Sequence, residues 1–549
     1  MTSASPGQAM PAGSATAAPG PSAPRLARSA GLIGIATMTS RVLGLVRDQV
    51  MAYLFGAGNA VDAYNVAFRI PNLVRDLFAE GAMSAAFVPT FTRAITRDGH
   101  EAGWRLARNV ITTLLLATGI FVLVAGVFTR PLVTAFAEDY SKVPGKLELT
   151  VQLTRIMLPF LVSVAVAAVF MGMLNSLNRF FIPALSPAMF NVGSIVCAVA
   201  LVPVMPRLGL PPIAAMAFGV LIGGVGQLAI QWPSLRREGF RYRPVLDLRD
   251  AGLRQVLILM GPGTIGLAAT QFNVFVNTVL ATSEGTGAVS WLNYAFRLMY
   301  LPLGIFGVSI ATASMPAIAR HAAREDLPGM RHEVANGLAM MLMLNVPATV
   351  GLIVLARPIV AMLFERGAFG TRDTNATAAA LTCYAIGLVG YSAVKMASPT
   401  FYALHESRKP VMVSAASVLL NAALNVALVH RFGYLGLAVG TSFTAILNSS
   451  VLLEMLRRRL GGLEGDRLLG VLLRTLAASA AMGVAAWLTQ HGMEAALHGR
   501  GLLVHFLQVG ASIGVAIAVL VVTARLVGLS ELTDVLALVA GKVRRSVAG

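Results

Sequence analysis

The sequence predicts an all-α polytopic membrane protein. About fourteen transmembrane helices form two parallel six-helix lobes around a central cavity, and two extra helices follow at the C-terminal end. Three observations lead there. The 549 residues are 56% hydrophobic and only 12% charged, with a mean hydropathy of +0.72, whereas a soluble domain carries about 25% charged residues. Apolar runs long enough to cross a bilayer succeed one another along the chain. Two stretches of the first half recur in the second half at one common offset.

Residues 1–24 are rich in Ala, Pro, Ser and Gly and carry no charge. Lacking a basic start and an apolar stretch, they do not resemble a signal peptide and read as a disordered cytoplasmic tail. The apolar runs then fall roughly at 30–55, 62–91, 108–130, 151–177, 183–203, 211–234, 255–282, 287–319, 333–356, 376–404, 410–429, 434–456, 471–490 and 501–524. Residues 526–549 form a second cytoplasmic tail. With the N-terminus inside, the inner segments hold 26 Lys and Arg and the outer segments 9. A missed helix would scramble that alternation, so the split supports an even number of spans with both termini cytoplasmic. The formal charge of +18 would suggest nucleic acid in a soluble protein. Here most of it is topological, and no nucleic-acid partner is expected. Cys197 and Cys383 both lie in apolar segments and give neither a disulfide framework nor a metal cluster.

The repeat is carried by VDAYNVAFRI (61–70) and VSWLNYAFRL (289–298), in which Val61, Asn65, Ala67, Phe68 and Arg69 recur as Val289, Asn293, Ala295, Phe296 and Arg297. Further on, 177–191 resembles 405–421, with Pro183 against Pro410 and Asn191 near Asn421. The offset of about 228 residues spans six helices. An even number returns the chain to the same side, so the halves are parallel repeats with a substrate site expected between them. Residues 25–240 make the first lobe and 250–460 the second; the helices at 470–525 stand outside the repeat.

The charges inside these helices point to what such a site would hold. Arg41, Arg47 and Asp48 sit within the first span, and each charge at mid-membrane costs roughly 2.5–3.5 kcal/mol. The alternative for each of them taken singly is a structural ion pair between helices, which suits the set less well. As a set, Arg41, Arg47, Arg69, Arg75 and Arg297 outnumber Asp48, Asp62, Asp76 and Glu80. Arg41, Arg47 and Arg75 have uncharged counterparts in the second half, so the cations concentrate in the first lobe. An excess of arginine suits an external anion, phosphate or carboxylate, which its planar fork binds through two bonds. On a straight helix Asp62, Arg69, Asp76 and Glu80 share one side; Pro71 is expected to kink that helix near Asn72. Arg155 and Arg474 lie near helix ends and can snorkel. For Lys395 an ion pair and snorkelling both stand. Gly261-Pro262-Gly263 reads as a hinge or a close-packing point, and Gly31, Gly34 and Gly44 as helix-packing sites. His321 and His332, beside a charged inner loop, read as solvated. No phosphate loop, HExxH or GxSxG constellation is present, so no enzyme is expected.

TSRVLGLVRD (39–48), FGAGNAVDAYNVAFRIPNLVRDLFAEGAMSAAFVP (55–89) and GAVSWLNYAFRLMYLPLGIFGVSIAT (287–312) resemble the MurJ/MviN lipid II flippases of the multidrug/oligosaccharidyl-lipid/polysaccharide exporter superfamily. The similarity runs from about residue 29 to 530. It implies fourteen helices and transfer of a lipid-linked peptidoglycan precursor from the inner to the outer leaflet of the bacterial cytoplasmic membrane. It implies pyrophosphate binding by Arg41, Arg47, Arg75 and Arg297, with Asp48, Asp62, Arg69, Asn72, Glu80 and Ser290 as polar or gating residues of the cavity. It also implies a lipid-tail groove on the last two helices. The partners it implies are lipid II, the phospholipid bilayer and the cell-wall synthesis machinery, with the protein itself a monomer. No cofactor is expected; coupling to an ion or to the membrane potential stays open. Phe296 and Tyr300 stand where some relatives carry an acidic pair, so Arg297 is expected to be less neutralised in the empty state. Some relatives have been linked to a sodium ion in the second lobe, but no clear carboxylate for it is found in helices seven, eleven or twelve. The alternatives are an exporter of another lipid-linked glycan and a scaffold that binds the lipid precursor without moving it.

Overall fold

The computed structural model describes residues 23–76, 82–499 and 501–529. Among these it is helical, with no strand. The first half comprises α1 (Ala23–Phe55), α2 (Asn59–Arg75), α3 (Ala82–Asp98), α4 (His100–Val127), α5 (Thr129–Ala137), α6 (Lys146–Met157), α7 (Phe160–Ser176), α8 (Phe181–Leu201) and α9 (Ala214–Arg237). The second comprises α10 (Ala251–Thr282), α11 (Ala288–Pro302), α12 (Val308–Ala323), α13 (Leu327–Val354), α14 (Ala356–Phe364), α15 (Thr371–Ile386), α16 (Leu388–Ala403), α17 (Arg408–Phe432) and α18 (Tyr434–Leu460). A hairpin of α19 (Gly465–Ala496) and α20 (Leu502–Leu526) follows.

Each of the nine helices in the first half has a counterpart in the second, and the packing recurs with it. α1 lies on α8 as α10 lies on α17, α2 on α6 as α11 on α15, and α8 on α9 as α17 on α18. One ion pair is repeated with its signs exchanged. Arg179, between α7 and α8, binds Glu238 at 2.8 Å, while Glu406, between α16 and α17, binds Arg459 at 2.7 Å.

Every expected apolar run coincides with a helix or with consecutive helices. Among the described residues ten helices are long and apolar enough to cross a membrane, or eleven if α15 and α16, bent by 42°, form one span. This is a multi-pass membrane protein. α1 and α10 are not among that number, and the stretch at 62–91 is interrupted by residues outside those described. The lipid-facing surface is apolar, with Leu123, Val127 and Leu419 largely exposed. Buried threonines bond back to the carbonyl four residues earlier, as Thr150 does to Lys146 at 2.7 Å, which satisfies the hydroxyl without a partner helix.

Small residues set the closest crossings. A Cβ on Gly193 of α8 would meet the backbone of Gly223 at 2.6 Å, and one on Gly219 would meet Ser194 Cα at 2.6 Å. The spacing GVLIG (219–223) carries that signal. Gly34 and Gly261, by contrast, face open space; Gly44 makes only ordinary contacts, with Asn191 and Arg297. α10 runs unbroken through Gly261, and α2 runs through Pro71 to Arg75.

The core is shared at one end of the bundle and divided at the other. At the end the basic-residue count assigns to the outside, one apolar cluster joins both halves, from Val61, Phe136 and Leu153 to Trp291, Phe364 and Leu381. At the opposite end, the cluster around Phe87, Trp104 and Phe240 is separate from that around Ile318, Met396 and Leu456. The halves therefore share one core at that end, while at the opposite end their clusters are separate and α10 of the second half leans on α3 of the first through Leu253 and Val256. The α19–α20 hairpin packs on α13 and α14. A buried glutamine–serine bond, Ser512 Oγ to Gln490 Oε1 at 3.0 Å, ties its two helices together.

Candidate functional site

Between the halves lies a cavity of about 560 Å³, walled by α1, α2, α8 and α11, with Val164 of α7 and Gln227 of α9. Arg41, Arg47, Arg69, Arg75 and Arg297 all line it, with Asp48 and Asn72. The arginines spread over the sequence are thus gathered at one site.

Its centre is a three-residue bridge. Asp48 is 2% exposed. It accepts from Arg47 Nη2 at 2.7 Å and Nε at 3.2 Å through Oδ1, and from Arg297 Nη1 through Oδ2. One carboxylate therefore joins two arginines and two halves of the molecule. Arg47 also lies over the Phe190 ring, 5.2 Å from its centroid. The expectation for Arg297 is corrected: it is neutralised, not by α11 but by α1. Asp48 serves Arg47 and Arg297 rather than Arg41.

Arg41 forms no ion pair or hydrogen bond among the described residues. Its guanidinium sits against Gly304, where any Cβ would overlap it. Gly304 belongs to a π-helical turn, Leu303–Gly307, between α11 and α12. Arg69 donates to Asn293 at 3.2 Å, so the two matched segments of the repeat touch. Arg75 binds Asp76 at 2.8 Å, and Asp76 also accepts from Asn72 at 3.2 Å and from Gln271 of α10 at 3.3 Å.

Asp62 and Ser290 do not line the cavity; both are fully buried beyond its outer end. Asp62 pairs with Lys146 at 3.0 Å and accepts from Gly287 N at 2.7 Å, Ser290 N at 3.1 Å and Ser290 Oγ at 2.7 Å. α11 begins at Gly287, which has no side chain to cap it, so Asp62 of α2 caps it from the other half. A carboxylate at a helix N-terminus satisfies free N–H groups and meets the positive end of the dipole. Asn65, which lines the cavity, reaches Ser290 Oγ at 3.3 Å, so the cap stands one residue away from the cavity. Glu80 lies outside the described residues. Lys395 is exposed on α16 and makes no ion pair among the described residues.

Sequence reasoning missed the neutral part of the lining: Ser40, Asn191, Gln227 and Asn293. Asn65 and Asn293 were visible as matched positions of the repeat. Gln227 gave no signal beyond being polar in an apolar helix. The matched asparagines also diverge. Asn191 reaches the Ser40 carbonyl at 3.1 Å beside the cavity. Asn421 instead joins a buried amide cluster with Asn425, Asn277 and Thr444, where α10, α17 and α18 meet. That cluster holds no carboxylate. Its neutral amides and hydroxyl offer a sodium ion no anionic ligand. His321 and His332 bind Asp326 at 2.7 Å and Glu464 at 2.9 Å.

The sequence profile of the lipid II flippase MurJ family matches residues 51–506. A probable lipid II flippase MurJ of Vibrio cholerae is 35% identical over 437 residues, 78% of this chain and 82% of that protein. A lipid II flippase MurJ of Burkholderia cenocepacia is also 35% identical, over 427 residues, 77% of this chain and 82% of its own length. A solved lipid II flippase MurJ in an inward closed conformation superposes with a TM-score of 0.73 at 24% identity, covering 90% of this chain and 99% of that one. An inward-facing multidrug resistance MATE transporter of the MOP superfamily superposes at 0.65, covering 79% of this chain and 98% of its own, with 16% identity.

Proposed function

Because the chain belongs to the lipid II flippase MurJ family, we propose that it moves lipid II across the bacterial cytoplasmic membrane, from the inner to the outer leaflet, for cell-wall synthesis. The observation that carries this reading is Asp48 bridging Arg47 and Arg297 across the two halves, inside a cavity lined by five arginines.

Residues 25–240 and 250–460 act as lobes, and both termini lie in the cytoplasm. The pyrophosphate enters from the inner side and docks on Arg41, Arg47, Arg75 and Arg297. Arg41, without an anionic partner among the described residues, is open to it. At Arg47 and Arg297 it competes with Asp48 for bidentate bonds, strong in a site that excludes water. Asp48 thus holds the lobes together when the site is empty, and the substrate takes over that role when bound. Arg69 and Asn72 position the neighbouring polar groups. The lobes then rock about the shared outer core, and the Asp62–Ser290 cap must part for the outer end to open. The polyprenyl tail stays in the bilayer, along α19 and α20. No nucleotide is required: a membrane potential that is negative inside favours outward movement of an anion by about 2.3 kcal/mol per charge per 100 mV.

Depletion of the protein in its host, followed by leaflet-resolved measurement of lipid II, tests the reading. Lipid II should accumulate in the inner leaflet and fall in the outer one. An unchanged distribution would contradict it.

A further inference from the structure

A second cavity, of about 450 Å³, opens on the lipid-facing side of the first half, between α5, α6 and α9. It shares no lining residue with the central cavity. Its walls are apolar, with Leu147, Val151, Ile156 and Phe218 among them, and two arginines project into it, Arg130 and Arg155.

The charges do not balance. Arg130 lies 3.5 Å from Glu148 at the outer end of α6, and both are well exposed. Arg155 is exposed and makes no ion pair or hydrogen bond among the described residues. It stands seven residues beyond Glu148, about 10 Å deeper at the rise of an α-helix, within an apolar span from Lys146 to Ser176. An arginine on that surface must send its guanidinium up to the headgroup level and find an anion there.

The repeat shows that the fold itself does not require this cation. The counterparts of Arg130 and Glu148 are Arg357 and Asn375, which bond at 3.1 Å. At the same offset Arg155 is matched by Thr382. In the second half α20 lies against α14, the counterpart of α5. α5 packs on α10 instead, and the first half has no counterpart of α20 among the described residues.

We infer that this groove binds an anionic glycerophospholipid. Its phosphodiester sits between Arg130 and Arg155, and an acyl chain lies on the wall of Val151, Ile156 and Phe218. The chemistry is that of a fixed cation at the membrane interface beside an apolar slot. Arg155 supplies the charge that Glu148 does not cancel. With both termini cytoplasmic, the lipid is one of the outer leaflet. The inference does not depend on what crosses the central cavity.

The test uses the full-length protein in nanodiscs and in micelles. Native mass spectrometry compares retention of phosphatidylglycerol with that of phosphatidylcholine of the same chains. The wild type should retain phosphatidylglycerol about fivefold better, the contribution of one basic residue near an anionic lipid surface. Arg155→Gln should abolish that preference, and Glu148→Gln, which frees Arg130, should raise it. Location is read from a Phe218→Trp variant: phosphatidylglycerol with brominated chains should quench the added fluorescence more than brominated phosphatidylcholine does. Equal retention of the two lipids, or a preference that survives Arg155→Gln, would overturn the inference. So would displacement by inorganic phosphate alone, which would mark a soluble-anion site, or by polyprenyl pyrophosphate at lower concentration than phosphatidylglycerol, which would mark an exit path for the transported lipid.

Discussion

At the scale of single residues, Asp48 explains how a membrane helix tolerates Arg47. Its carboxylate neutralises part of two guanidinium charges and satisfies their N–H groups in one place. Replacing Arg47 or Arg297 by Ala should leave insertion intact and lower lipid II transfer by about ten- to a hundredfold, the cost of losing a charge-assisted hydrogen bond. Lys at either position keeps the charge and loses the fork, so transfer should fall strongly there too. Asp48→Asn removes the internal competitor. It should tighten binding of the lipid pyrophosphate and slow its turnover, which equilibrium binding and transfer assays would separate. Gly304→Ala should displace the Arg41 guanidinium and match Arg41→Ala in transfer. The arginine excess and the identity of the cavity cations were legible in the sequence, because a charge inside an apolar run is costly unless it faces water or a partner. Which carboxylate served which arginine was not legible. Asp48 and Arg297 are far apart in the chain, and only the placing of α1 against α11 decides their pairing.

At the scale of elements, the cap on α11 shows what a sequence pattern conceals. Asp62 read as part of a charged stripe on α2, yet it faces Gly287, Ser290 and Lys146. Periodicity assigns a face to a residue but does not say which neighbour covers that face. Asp62→Asn leaves Lys146 as an unpaired buried cation, which costs about 3–5 kcal/mol. The thermal midpoint should drop clearly, and adding Lys146→Met should recover part of it. A cap outside the membrane gives a pH-dependent contrast. The Gly329 N–H, and then His321, hold the Asp326 carboxyl below its usual range. A depressed folded-state pKa means that this contribution is complete above the unfolded value, about 3.9, and is lost as pH falls through the folded value. The start of α13 should therefore keep its protection against hydrogen exchange at neutral pH and lose it only in strong acid. The extents of the helices were easier to read than their contacts. The runs predicted for α8 and α9 begin or end within a few residues of the helices, because apolar length alone sets them. Their close crossing depends on Gly193, Gly219 and Gly223 together.

At the scale of the whole molecule, the repeat was visible in two short matches and extends to the order and packing of nine helices per half. What the repeat could not tell is its asymmetry. One core runs through both halves at the end of Val61 and Trp291, whereas two separate clusters form at the other end. The outer seal can be tested by fixing it. Ala368 N donates to the Tyr53 carbonyl at 2.9 Å, so the two backbones are close enough for a crosslink. A Tyr53→Cys/Ala368→Cys variant should stop transfer when oxidised and regain it on reduction. Transfer of lipid II through the arginine cavity is measured by leaflet-resolved exchange of lipid II in proteoliposomes holding the purified wild type, and in parallel the Arg47→Ala/Arg297→Ala variant. Exchange should be rapid with the wild type and no faster than in protein-free vesicles with the variant. Exchange by the variant at the wild-type rate, with both proteins equally inserted, would contradict it.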